Sequence, residues 1–83
     1  MQIHWGRHKD YKLYNRIQNI GLNVRKFRKK QKLSQIELAV EVGIDRSYLS
    51  EIENGRTNMS VGILDAIADA LKTDISEFFK NND

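Results

Sequence analysis

The chemistry-bearing residues of this sequence are hydrogen-bond donors concentrated in one segment, residues 34–58, which is SQIELAVEVGIDRSYLSEIENGRTN. Hydroxyl, amide and guanidinium groups of this kind can bond to base edges and to phosphates. The sequence contains no recognisable set of nucleophile, base and orienting residue, and no glycine-rich phosphate loop. These features predict a binding protein and argue against an enzyme.

Two pairs of titratable residues come closest to a catalytic or metal site: Glu37 with Glu41, and His4 with His8. Carboxylates four residues apart on a helix are typical of a solvated face. The histidine pair has no third ligand at a suitable spacing, because Asp10 is badly placed for one. Cysteine is absent, which excludes disulfides, thiolate zinc sites and cysteine nucleophiles. We therefore expect no cofactor and no bound metal.

Length and composition indicate one ordinary globular domain. The chain has 83 residues, of which 40% are hydrophobic and 30% are charged. Its apolar runs are only a few residues long, so we expect no transmembrane helix, no signal peptide and a cytoplasmic protein. With no second domain in the sequence, we expect no small-molecule ligand.

The net charge of +3 is unevenly distributed along the chain. Residues 1–32 contain ten Lys or Arg and one Asp, whereas residues 33–83 contain four Lys or Arg and ten Asp or Glu. A basic region indicates an anionic partner, either nucleic acid or an acidic membrane, or else a solvated helix face. An RNA ligand is less well matched, because the usual aromatic stacking platform is missing.

Hydrophobic periodicity predicts an all-α chain of five helices. Residues 1–16 show no clean period, which predicts a basic arm that is flexible or weakly helical. The folded domain is predicted to span residues 17–80, and its first helix residues 19–31. Gly21 weakens this helix and is a candidate for its true start.

Capping residues place the second and third helices. Ser34 and Glu37 have the spacing of a capping box, and Gly43 is the expected left-handed end of the second helix. Asp45 is predicted to cap the third helix, which ends before Gly55. Two short capped helices joined by a tight turn predict a helix-turn-helix. The apolar residues expected to set the crossing of these two helices are Ala39, Ile44, Leu49 and Ile52.

The remaining helices are predicted in the same way. Ser60 is expected to cap the fourth helix, and Asp74 with Glu77 to form a capping box for a short fifth helix. The apolar face of the fourth helix comprises Leu64, Ile67, Ala68 and Leu71. Glu53 is expected to pair with Arg25 or Arg28 of the first helix, because a carboxylate directed at phosphate would be repelled.

Residues 20–79 resemble the XRE family, the phage-repressor and Cro-like helix-turn-helix domains. The matching segments are I-G-x-x-V-R-x-x-R-K at 20–29, L-S-Q-x-E-L-A at 33–39, Y-L-S-x-I-E-N-G at 48–55 and I-S-E-F-F at 75–79. Within that family the chain is most similar to the small controller proteins of restriction–modification systems. Two positions depart from the pattern: Met59 where many members have proline, and Lys72 where many have glycine.

The resemblance implies a lambda-repressor-like fold and a transcriptional regulator that binds a near-palindromic operator in double-stranded DNA. Gln35 is then a phosphate contact, or else a plain polar first-turn residue. Arg46 is the best candidate for base readout, since its guanidinium can bond O6 and N7 of guanine. Its alternative role is an ion pair with Glu51 or a neighbouring residue. Ser47 and Ser50 are candidates for phosphate or base-edge contacts.

Four further residues complete the predicted DNA-binding set. Tyr48 is expected either to contact a thymine methyl group or a phosphate, or to cover the rim of the core. The resemblance implies that the loop after the third helix follows the DNA backbone. On that basis Arg56 and Asn58 are phosphate candidates, and Thr57 lies between them.

A short recognition helix gives too little affinity alone, so we expect a homodimer through the fourth and fifth helices. Ile75, Phe78 and Phe79 are expected either to close the core or to form part of that two-fold interface.

An alternative function is the antitoxin of a toxin–antitoxin pair, which would bind DNA and also a protein toxin. This alternative is supported by three aromatic residues in the arm, Trp5, Tyr11 and Tyr14. The arm could instead reach the minor groove with Arg7 and Lys9.

Overall fold

The computed structural model describes residues 8–82, with side chains from residue 11 onward. Its elements are α1 (His8–Lys30), α2 (Gln35–Val42), α3 (Arg46–Glu53), α4 (Val61–Ala70) and a 3₁₀-helix (Ile75–Phe79). Residues 8–82 contain no strand, which confirms the all-α prediction. The prediction of five α-helices is wrong, because the last element is a 3₁₀-helix.

The first turn of the 3₁₀-helix is closed by hydrogen bonds that span two or three residues, where an α-helix would span four. The Asp74 carboxylate accepts a hydrogen bond from the backbone N–H of Ser76 at 2.9 Å. The N–H of Glu77 bonds the carbonyl of Asp74 at 3.0 Å, three residues back. The predicted Asp74–Glu77 capping box is therefore absent, and the Glu77 carboxylate lies 2.8 Å from the Lys80 ammonium.

The first helix begins at His8 and not at residue 19, so the predicted arm is helical from residue 8 to residue 16. Its first turns lack an apolar period because they extend past the core. Tyr11, Leu13 and Tyr14 are all exposed there. Once the packed half of α1 has formed, adding turns is less costly than starting a helix. His4, Trp5 and Arg7 lie outside the described residues, as do the side chains of His8 and Lys9.

Gly21 lies inside α1, at the point where α1 crosses the end of α3. A Cβ atom at this position would lie 2.2 Å from the carbonyl oxygen of Ile52 and 2.8 Å from that of Glu53. The interpretation of Gly21 as a helix start is therefore wrong. Its missing side chain allows the two backbones to approach.

The caps of α2 and α3 are largely as predicted. The N–H of Glu37 donates to Ser34 Oγ at 3.0 Å, and the N–H of Ser34 donates to the Glu37 carboxylate at 2.8 Å. Gly43 is left-handed with φ 86°. Asp45 stands at the N-cap position of α3, but its side chain makes no capping hydrogen bond.

The second half of the chain is held by apolar packing. Ser60 caps α4 by accepting a bond from the N–H of Ile63 at 3.1 Å. The whole predicted apolar face of α4 is buried, and Phe78 packs edge-to-face on Phe27 with ring centroids 6.0 Å apart. Asn23, buried in α1, donates to the carbonyl of Phe78 at 2.8 Å, which fixes the 3₁₀-helix to α1.

No helix among residues 8–82 is long and apolar enough to cross a membrane. The same residues contain no cluster of His, Asp or Glu side chains that could hold a metal ion.

Candidate nucleic-acid interface

A buried ion pair joins α1 to α3. Arg28 Nε lies 2.7 Å from one carboxylate oxygen of Glu53, and Nη2 lies 2.9 Å from the other. The two side chains are only 9% and 1% exposed. Arg28 Nη1 also donates to the carbonyl of Leu33 at 2.8 Å, which holds the loop before α2. The predicted pairing of Glu53 with the first helix is confirmed, and Arg28 is the partner.

Hydrogen bonds continue from this pair to the surface. Gln35 Nε2 donates to the Glu53 carboxylate at 3.1 Å, and Arg46 Nη1 donates to Gln35 Oε1 at 3.4 Å. Gln35 is the first residue of α2 and Arg46 is the first residue of α3. The network therefore places the N-termini of the two helices side by side and orients both side chains. This role of Gln35 was missed by sequence reasoning, because no local pattern connects residues in different helices.

The Arg46 guanidinium is exposed, and its bond to Gln35 is long. Among the described side chains, Arg46 forms no ion pair with Glu51, so that alternative is not found in the structure. The Glu53 carboxylate, at the inner end of this network, already has Arg28 as its buried counter-charge. The Arg46 guanidinium is therefore available to an external acceptor.

The other predicted residues of α3 differ in their exposure. Ser47 is exposed, while Tyr48 and Ser50 are half-buried. Tyr48 packs against the core, as the alternative to a DNA contact predicted. Ser50 accepts bonds from the Asn54 side-chain amide, through its carbonyl at 2.8 Å and its hydroxyl at 3.4 Å.

The loop between α3 and α4 brings the last three predicted residues together. Arg56 and Asn58 are exposed and Thr57 is half-buried. The N–H of Arg56 bonds the carbonyl of Glu51 at 2.9 Å, and the Thr57 hydroxyl donates to the carbonyl of Asn58 at 3.2 Å. These bonds fix the loop backbone and leave the Arg56 guanidinium in solvent.

Gln18 of α1 supports the start of this loop. Its side-chain amide donates to the carbonyls of Asn54 at 3.3 Å and Gly55 at 3.1 Å. Gly55 is left-handed with φ 67°, and a Cβ atom there would lie 2.6 Å from the Gln18 amide. Sequence reasoning missed Gln18, which carries no capping or periodic signal.

One carboxyl group beside the interface, that of Glu37, has a shifted pKa. The pKa of Glu37 is lowered because its carboxylate accepts a hydrogen bond from the backbone N–H of Ser34. Glu37 is therefore ionised at neutral pH and stabilises the start of α2, next to Gln35.

Comparison with known proteins adds an independent line of support. A family model described as Helix-turn-helix matches residues 24–78. The chain is 40% identical over 57 residues to the immunity repressor protein of Bacillus phage phi105, covering 69% of this chain and 40% of the repressor. It is also 40% identical over 62 residues to the control protein C.MunI of Mycoplasma sp, covering 74% of this chain and 84% of that protein.

Among solved structures, the fold is similar to the restriction-modification controller protein C.AhdI from Aeromonas hydrophila. The TM-score is 0.74 at 35% sequence identity, and the match covers 76% of this chain and 96% of that one. The chain thus spans less than half the length of the phage repressor, but most of the length of each controller protein.

Proposed function

The chain belongs to the XRE-type helix-turn-helix family of DNA-binding regulators, and we propose that it acts as a homodimer on a near-palindromic operator. The observation that carries this proposal is the network from Glu53 through Gln35 to Arg46. It places an exposed guanidinium at the N-terminus of α3, the end that a recognition helix presents to the major groove.

Base readout is assigned to α3. The Arg46 guanidinium can bond O6 and N7 of guanine, worth about 1–3 kcal/mol of discrimination against a wrong base. Ser47, Tyr48 and Ser50 flank it on α3 as candidates for base-edge or phosphate contacts. Gln35 aligns Arg46, and at the first turn of α2 it is also a proposed phosphate contact.

Backbone binding is assigned to the loop after α3. Arg56, Thr57 and Asn58 form a surface with one cation and two polar groups, beside the end of α3. Contacts of this kind fix the position of a protein on the duplex without specifying its sequence. The loop and α3 thus have separate tasks.

A homodimer supplies the binding energy that one copy lacks. An α3 of eight residues is about 12 Å long, so it covers only part of an operator. Two copies related by a two-fold axis would place their recognition helices about 34 Å apart. Val61 of α4 and Phe79 of the 3₁₀-helix are 70% and 52% exposed, and these apolar side chains support an interface there. Phe78 belongs to the core of one copy.

Within this family, we infer that the chain is an autoregulatory controller of a restriction–modification system. The support is that the two controller proteins above are matched over most of their length. The antitoxin alternative has less support. Its discriminating test is co-purification, which would recover a small toxin with the chain.

The proposal is tested by a fluorescence-anisotropy titration at about 0.15 M salt. The probes are duplexes selected from a random pool by the protein, the duplex upstream of its own gene, and a scrambled duplex of equal composition. We expect a selected site to bind about a thousandfold more tightly than the scrambled duplex. Equal, weak binding of all probes would overturn the proposal. Sedimentation of the complex should show two chains per site.

A further inference from the structure

A groove of about 1060 Å³ lies between the first turns of α1 and the loop that joins α3 to α4. One wall is formed by α1 and the other by the residues that follow α3. The lining residues used below are Tyr11, Tyr14, Gln18, Arg56, Thr57 and Asn58. The groove exists because α1 continues back to His8, beyond the part of the helix that packs on the core.

The groove is continuous with the proposed DNA-binding surface. Arg56, Thr57 and Asn58 belong both to its lining and to the loop assigned to the DNA backbone. The two walls are also held at a fixed separation, since Gln18 of α1 donates to the carbonyls of Asn54 and Gly55. A strand that follows the loop would therefore meet α1.

The chemistry of the lining matches a sugar–phosphate strand. No residue of the lining is Asp or Glu, and Arg56 contributes a cation. Tyr11 and Tyr14 are 61% and 46% exposed, so each can offer a hydroxyl donor and an aromatic face. Phosphate oxygens accept from such donors, and sugar carbons pack on such rings. A basic side chain would find no carboxylate partner in this lining.

We propose that this groove binds the DNA backbone just outside the half-site, so that the first turns of α1 extend the DNA-binding surface. The inference rests on the proposed function and adds a further phosphate-binding surface to it. The extension increases affinity for all sequences alike, since backbone contacts carry no base information.

Site-specific photo-crosslinking tests this assignment. Three single variants of the full chain carry a benzophenone amino acid in place of Tyr14, Arg46 or Asp69. Asp69 is the matched control, an exposed residue in the last turn of α4 and outside the groove. The probe is a 40-base-pair duplex pool of random sequence at about 50 mM salt, where electrostatic binding alone gives occupancy.

We expect DNA crosslinks from positions 14 and 46 and none from position 69. A crosslink from position 46 alone would overturn the groove assignment and leave the proposed function intact. Absence of DNA crosslinks from all three positions would overturn both. A crosslink from position 14 to a second copy of the chain, or to a co-purified protein, would show that this molecule, and not DNA, occupies the groove.

A size-matched pair of variants measures the contribution of the groove. Tyr14→Glu and Tyr14→Gln have nearly equal size and helix propensity, and differ by one negative charge. We expect Tyr14→Glu to bind DNA about tenfold more weakly than Tyr14→Gln, because like charges oppose each other across an interface. The difference should shrink as salt is raised. Equal binding of the two variants at low salt would contradict the proposal.

Discussion

The two halves of the helical domain are stabilised in different ways. The α2–α3 half is fixed by a buried ion pair and by directional hydrogen bonds that continue to the surface at Gln35 and Arg46. The half formed by α4 and the 3₁₀-helix packs through almost fully buried apolar side chains, and its hydrogen bonds to α1, such as that from Asn23 to the carbonyl of Phe78, end at backbone groups. Apolar burial is not directional. The difference shows that polar bonds set where functional groups point, whereas apolar packing supplies much of the stability.

The largest expected effect comes from Glu53→Ala. The Arg28 guanidinium would remain buried without a counter-charge, so we expect the free energy of unfolding to fall by about 3–5 kcal/mol. Urea unfolding followed by circular dichroism measures this loss. An unchanged unfolding midpoint would show that the pair is solvated and that the two halves of the domain are not stabilised differently.

The double variant Arg28→Met with Glu53→Leu is the control for that experiment. Replacing both charges by apolar groups is often neutral for stability, so most of the lost stability should return. DNA affinity should not return, because Gln35 would no longer have its acceptor. Wild-type DNA affinity in the double variant would show that the network does not position the interface.

Phe78→Ala tests the apolar half. Removing this fully buried ring should lower the free energy of unfolding by about 3 kcal/mol, through reduced apolar burial and the cavity left behind. The folded fraction should keep its pattern of base discrimination, because the polar network is untouched. The neighbouring Phe79→Ala is the matched control: stability should change little, and dimer affinity should fall. Equal stability losses in both variants would contradict the assignment of Phe78 to the core.

Lys72→Gly should increase the stability of the half that contains α4. Lys72 follows α4 in a left-handed conformation with φ 55°, which costs a residue with a side chain about 1–2 kcal/mol. Glycine should therefore raise the free energy of unfolding by about 1 kcal/mol, leaving DNA binding unchanged. Arg25→Gly, at an exposed position inside α1, is the control and should lower it by a similar amount. A destabilised Lys72→Gly would show that the Lys72 side chain makes a necessary interaction.

The smallest effect concerns the start of α2. Because the pKa of Glu37 is lowered in the folded state, its contribution to stability is present above the usual pKa of a glutamate. That contribution disappears as the pH falls through the lowered value. Glu37→Gln should thus reduce the dependence of stability on pH in the acidic range, as measured by thermal unfolding. An unchanged dependence would show that the capping box forms without the charge.

Local features of the fold were predictable, whereas long-range ones were less so. The Ser34–Glu37 box and the turn at Gly43 depend on neighbouring residues, and both were predicted. The 3₁₀-helix was not predicted, because its backbone conformation depends on the burial of Phe78 and on the hydrogen bond that Asn23 of α1 donates to Phe78. The extension of α1 to His8 left no apolar period to detect, because that part of the helix lies beyond the core.

The residues of the candidate site also fall into two groups, those that the sequence predicted and those whose role only the structure identifies. Arg46 and the 56–58 loop follow from residue type and position in the motif, and stay predictions as DNA contacts. The structure adds the role of Gln35 between Glu53 and Arg46, and that of Gln18 behind the loop. These hydrogen bonds connect residues from different elements, which a single sequence does not bring together.

In the proposed division of roles, α3 discriminates bases while the loop after it binds the phosphate backbone. This division is tested most directly by titrating Arg46→Ala and Arg56→Ala against the selected operator, single-base variants of it and a scrambled duplex, over a range of salt. Arg46→Ala should lose discrimination at one base pair per half-site. Arg56→Ala should weaken binding to all sequences alike and lower the salt slope by about one unit for each phosphate interaction removed. Equal effects of the two substitutions on discrimination and on the salt slope would contradict this division of roles.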